Sequence, residues 1–127
     1  MNTNYRESEV WKLSRKLNKE IHQILQHPCL AQQFRLKEQI RSSAGSIMDN
    51  IAEGFERDGR AELIQFLSIA KGSAGELGSQ LTRLLDIEAI EDAKYQVLSA
   101  SVDSISKQLA GFMKYLKQSE YSGFKKK

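Results

Sequence analysis

Apolar residues recur at three- and four-residue steps in four successive stretches of this chain, and that spacing admits one secondary structure. From about Arg6 to Gln26 the positions are Val10, Leu13, Leu17, Ile21 and Ile24. From about Gln33 to Glu53 they are Leu36, Ile40, Ala44, Ile47 and Ile51. The third stretch, ending near Leu85, carries Leu63, Leu67, Ala70, Ala74, Leu77, Leu81 and Leu84. The fourth, from near Asp92 to about Gln118, carries Leu98, Val102, Ile105, Leu109, Phe112 and Leu116. Steps of three and four place such residues on one face of an α-helix, whereas a strand needs alternation. Each stretch is therefore an amphipathic helix of about 20–27 residues, ~30–40 Å long at 1.5 Å per residue.

The punctuation between helices agrees. Pro28, the only proline, ends the first helix near His27, because proline disfavours helical geometry in the residue before it. Asn4 with Glu7 is a candidate capping box at its start, with Ser8 as the alternative cap. Gly54 stands where a C-terminal glycine closes the second helix, and Asp58 is the expected N-cap of the third. Short links between long helices make sequence neighbours antiparallel. The fold class expected is all-α, an antiparallel up-and-down four-helix bundle. Residues 1–127 form a single domain with a frayed basic tail from about 119.

Composition constrains function mainly by exclusion. One cysteine, Cys29, rules out an intrachain disulfide and suits a reducing compartment. Met1 to Ser8 is polar and lacks a signal-peptide core, and no stretch approaches the ~18 apolar residues of a membrane span. A cytoplasmic protein is expected. The two histidines, His22 and His27, are preceded three residues earlier by Lys19 and Ile24, so neither completes the Glu-x-x-His pair of a di-iron bundle. Their five-residue separation puts them ~140° apart on a helix, which excludes an i, i+4 clamp on one ion. Cys29 lies near His27 in sequence, but no third orienting group accompanies them, so it reads as a structural thiol. Gly72-Ser73-Ala74-Gly75 falls inside a helix with no strands around it, which removes an RNA-binding GxxG loop. No catalytic, metal or cofactor site is expected.

Three stripes remain. Gln39, Ser43, Ser46, Asn50 and Glu53 step along the second helix beside its core face. They read as a network fixing helix register, with Arg41 or Ser73 as partners, in preference to a shared site at a subunit junction. Ser68, Gly72, Gly75 and Ser79 form a small-residue stripe on the third helix. Each interior glycine costs about 0.5–1 kcal/mol relative to alanine, so close approach of another backbone is expected there. The spacing leaves open whether that backbone is the second helix, with Ser42, Ser43, Gly45 and Ser46, or a neighbouring subunit. The basic stripes are the strongest functional lead. Lys12, Arg15, Lys16 and Lys19 lie away from the apolar face of the first helix, and Lys107, Lys114 and Lys117 away from that of the fourth. Charge is split accordingly: residues 1–48 carry +4, 49–93 carry −6 and 94–127 carry +5. In an up-and-down bundle the first and last helices can lie side by side, which would add their charge into one surface with the Lys125–Lys127 tail.

The pattern Gln39-Ile40-Arg41, Ser46-Ile47 and Asn50-Ile51-Ala52-Glu53-Gly54 resembles the signature of the four-helix proteins encoded in intervening sequences of bacterial large-subunit ribosomal RNA genes. Val10-Trp11 and the third-helix pattern Phe66-Leu67, Ala70, Gly72-Ser73, Glu76-Leu77 and Gln80-Leu81 extend the resemblance over roughly residues 9–116. It implies a homopentamer, contacts of both kinds for the small-residue stripe, and kinship with the basic accessory protein of diversity-generating retroelements, which works with nucleic acid and a reverse transcriptase. Met48 stands where the family usually has proline, which puts a kink in the second helix in doubt. The function expected is a non-enzymatic homo-oligomer binding structured RNA or DNA through its basic faces. The alternative is a scaffold docking a protein such as a polymerase.

Overall fold

The computed structural model describes residues 4–119, and its helices follow the four periodic stretches closely. They are α1 (Glu9–Ile24), α2 (Phe34–Glu56), α3 (Arg60–Asp86) and α4 (Asp92–Ser119), with short 3-10 turns at Tyr5–Glu7 and Pro28–Leu30. No strand occurs among the described residues. α2 packs most extensively on α3 and α3 on α4, while α1 lies against both α2 and α4. The four helices thus close around one core. Leu17, Ile21, Ile40, Ile47, Leu67, Leu77, Leu81, Leu98, Ile105 and Leu109 are buried at its centre. Among the core-face residues, Leu13, Ile24 and Phe112 are only partly buried and pack against its edge.

The helix ends show where local chemistry prevailed. Ser8, rather than Asn4, caps α1, its hydroxyl accepting from the Trp11 N–H, while Asn4 caps the preceding 3-10 turn. α1 stops at Ile24, before the expected end near His27. The His27 Nδ1 accepts the Cys29 N–H at 3.1 Å and so starts the turn that Pro28 imposes. α2 runs without interruption through Met48 to Glu56, so Gly54 lies within the helix and not beyond its end. Gly59, not Asp58, is the N-cap of α3; its N–H donates to the Glu62 carboxylate at 3.3 Å. α4 continues through Ser119, whose side chain donates to the Tyr115 carbonyl, so the helix reaches into the stretch expected to fray. The Lys125–Lys127 tail lies outside the described residues.

The α3–α4 connection is a Schellman turn: the Ala89 N–H donates to the Leu84 carbonyl at 2.8 Å and the Glu88 N–H to that of Leu85 at 3.0 Å. The residue in the left-handed position is Glu88, with φ of 58°. A Cβ in that conformation costs roughly 1 kcal/mol, so Glu88→Gly is expected to stabilise the chain by about that amount. Thermal unfolding would read this as a rise in Tm, and an unchanged or lower Tm would contradict it.

Candidate functional site

The residues of α1 divide cleanly between core and solvent. Val10, Ser14, Leu17 and Ile21 are buried, whereas Lys12, Arg15, Lys16 and Lys19 are all exposed. On α4, Lys107, Lys114 and Lys117 are likewise exposed behind the buried Leu109–Leu116 face. Because α1 packs against α4, the two basic helices are neighbours in the bundle. Their charge is only lightly neutralised. Lys12 lies 3.8 Å from Glu9, an exposed pair of little energetic weight. Arg15 holds its guanidinium over the Trp11 ring, 5.9 Å from the centroid, and Tyr5 packs edge-on against that ring at 5.1 Å.

On the side of α1 that faces α2, the basic face opens into a cleft of about 460 Å³, lined by Arg15, Asn18, Lys19, His22, Gln23 and Met48. Every titratable group in this lining is basic. Asn18 fixes the wall: its amide donates to the Ser14 carbonyl at 2.9 Å within α1 and to the Ala44 carbonyl at 2.8 Å across to α2. Sequence reasoning found Arg15 and Lys19 but missed Asn18, His22 and Gln23. The signal was present, since Lys12, Arg15, Lys19 and His22 step at 3, 4 and 3 along one face. A larger cleft of about 890 Å³ lies where the α3–α4 turn meets the end of α1. Its lining includes Glu88, Glu91 and Asp92 beside His27, Cys29 and Lys94. Three carboxylates make that cleft a poor place for an anion. Among the described residues no group of three or more His, Cys, Asp or Glu is arranged to hold a metal.

The polar stripe of α2 is spent largely on local and helix–helix contacts. The Ser46 and Ser73 hydroxyls share a hydrogen bond of 2.8 Å between α2 and α3, and the Asn50 amide donates to the Ser46 carbonyl and hydroxyl at 2.8 and 2.9 Å. Gln39 accepts from Arg83 of α3 at 3.3 Å. Ser43 is buried. Ser73 is thus the partner the spacing suggested. Arg41 is not: it pairs with Glu38 at 3.1 Å, while Glu53 pairs with Arg57 at 2.8 Å. Two of these contacts, Ser46 with Ser73 and Gln39 with Arg83, cross from α2 to α3; the others lie along α2 itself.

The small-residue stripe of α3 faces away from the core. Ser68, Gly72, Gly75 and Ser79 are exposed, and a Cβ added at Gly72 or Gly75 would meet nothing within 4 Å. The second helix is therefore not the backbone that approaches them. α2 and α3 come together closely at Gly54 instead, where a Cβ would lie 3.0 Å from both Leu63 Cδ1 and Phe66 Cβ.

Comparison with known proteins supplies the classification. The family model for the 23S rRNA-intervening sequence protein matches residues 6–111. The chain belongs to this family. Among solved structures it is similar to a protein of unknown function from the S23 ribosomal protein family of Bacteroides thetaiotaomicron. The two share 28% identity and a TM-score of 0.77, over 83% of this chain and 98% of that one. Comparison with curated proteins finds no match. Within the described residues of this family member, no helix is long and apolar enough to cross a membrane.

Proposed function

We propose that this member of the 23S rRNA-intervening sequence protein family is a non-enzymatic, homo-oligomeric helical scaffold that binds structured RNA or other nucleic acid through the basic faces of α1 and α4. One observation carries the reading: all seven stripe residues, Lys12, Arg15, Lys16, Lys19, Lys107, Lys114 and Lys117, are exposed on two helices that pack together. Phosphate backbones bind such surfaces by releasing counterions, without reading sequence. The bundle is taken as antiparallel and up-and-down. Three pairings between α2 and α3 support this: Gln39 with Arg83, Ser46 with Ser73 and Gly54 with Leu63 run in opposite directions along the two helices. The assembly is taken as a pentamer on the family resemblance, with the outward small residues of α3 free to meet a second copy. A symmetric ring would repeat the basic surface and multiply its avidity.

The test is fluorescence anisotropy of a labelled structured RNA, with a duplex DNA of equal charge alongside. Binding at micromolar concentration or tighter, weakening steeply with added salt, is expected. Replacing Lys12, Lys16 and Lys19 together with Glu should weaken binding by roughly a hundredfold or more while leaving the helical circular dichroism intact. Unchanged affinity would remove the α1 face from the site. Absence of binding at low salt would favour a scaffold that docks a protein partner.

A further inference from the structure

We infer that the α1–α2 cleft is a discrete phosphate-binding subsite within the basic face, resting on the nucleic-acid reading but more specific than it. A diffuse basic patch holds phosphate by counterion release alone, with each lysine contributing alike. This cleft differs in three respects. Its lining brings three cationic or cationisable groups, Arg15, Lys19 and His22, around one space of about 460 Å³. A single water occupies only about 30 Å³ of liquid, so the cleft has room for a phosphate with part of its attached sugar. Its walls are held in place: the Asn18 amide donates one hydrogen bond to Ser14 within α1 and one to Ala44 that ties α1 to α2, and the Trp11 ring lies under the Arg15 guanidinium. Among the described residues, neither Arg15 nor Lys19 lies in an ion pair, whereas the charge of Lys12 is shared with Glu9.

The chemistry that fits is a phosphate oxygen cluster. Arg15 offers a planar fork of donors for bidentate contact, and Lys19 a compact point charge. His22 and Gln23 add ring and amide N–H donors. The Asn18 amide N–H groups are already engaged, so Asn18 is a positioning residue. Met48 supplies an apolar patch at the α2 wall, suited to the sugar or base edge beside the phosphate. The same chemistry could present itself as one phosphate of a polynucleotide backbone or as a free phosphorylated small molecule.

Two arms separate these sources. In the first, the affinity of the structured RNA is compared for two variants of the full chain with equal charge loss. One is Arg15→Gln with Lys19→Gln inside the cleft; the other is Lys12→Gln with Lys16→Gln outside it. The cleft pair is expected to lose roughly tenfold or more in affinity, and the outer pair only a few-fold. Equal losses overturn the subsite. In the second arm, inorganic pyrophosphate is titrated into the wild-type chain and followed by NMR. Saturable shifts confined to the Met48 methyl, the His22 ring and the Arg15 and Lys19 side chains are expected. Shifts spread evenly over Lys107, Lys114, Lys12 and Lys16 overturn the subsite even where RNA binds. Confined pyrophosphate shifts without RNA binding would keep the cleft as a small-anion site and sink the nucleic-acid reading instead.

Discussion

Leu77→Ala is expected to lower the unfolding free energy by about 2–5 kcal/mol. Leu77 is fully buried in α3, at 0% exposure, within the cluster that all four helices share. Truncation removes three carbons' worth of burial, and the surrounding helices cannot collapse fully into the space. Both the lost transfer energy and the cavity therefore count. Since a domain of this size is stable by only about 5–15 kcal/mol in total, the variant should unfold at much lower urea. The denaturant slope should stay unchanged, because the surface exposed on unfolding is nearly the same. Ile69→Ala on the same helix is the control: Ile69 is 45% exposed, so its loss should stay below about 1 kcal/mol. Equal losses at the two positions would mean that α3 does not present Leu77 to a packed core.

The second large effect is expected at Gly54. Its added Cβ would lie 3.0 Å from Leu63 Cδ1 and from Phe66 Cβ. The leucine methyl can rotate away, but a Cβ is fixed to its backbone, so α2 and α3 must part. Gly54→Val is expected to cost about 3 kcal/mol, from overpacking and from the stiffness of a branched side chain in a helix. Gly54→Ala should cost less, because alanine recovers roughly 1 kcal/mol of helix propensity. Gly75→Ala is the contrasting case. With nothing within 4 Å of the new methyl, it should stabilise the isolated chain by about 0.5–1 kcal/mol. Chemical denaturation of the three variants decides the matter, and a neutral Gly54→Val would show that the two helices do not meet there.

Gly54 also shows how far local rules reach. A glycine after an apolar run, followed by a short polar link, has the local signature of a helix end. Nothing nearby in sequence shows that Phe66 will sit against it. The third-helix glycines pose the converse problem. Their cost in propensity is visible in the sequence, but whether they meet α2 or open solvent depends on the rotation of α3 about its own axis. Buried Leu67, Leu77 and Leu81 set that rotation, and it turns Gly72 and Gly75 outward. The basic lysines were legible because a charged side chain opposite an apolar stripe has only one place to go. The cleft was not, because it depends on Met48 of α2 standing across from Arg15 and on Asn18 spending its amide on Ala44.

The sequence by itself determined the number and type of helices, most residues of the core within them and the outward placement of the basic stripes. Each of these follows from a periodicity that acts within one helix, where neighbours are three and four residues apart. Only the tertiary structure decided where two backbones touch, which polar residues pair across helices and where a cleft opens. Those outcomes depend on the register and rotation of helices far apart in sequence, set by the fit of whole faces against one another.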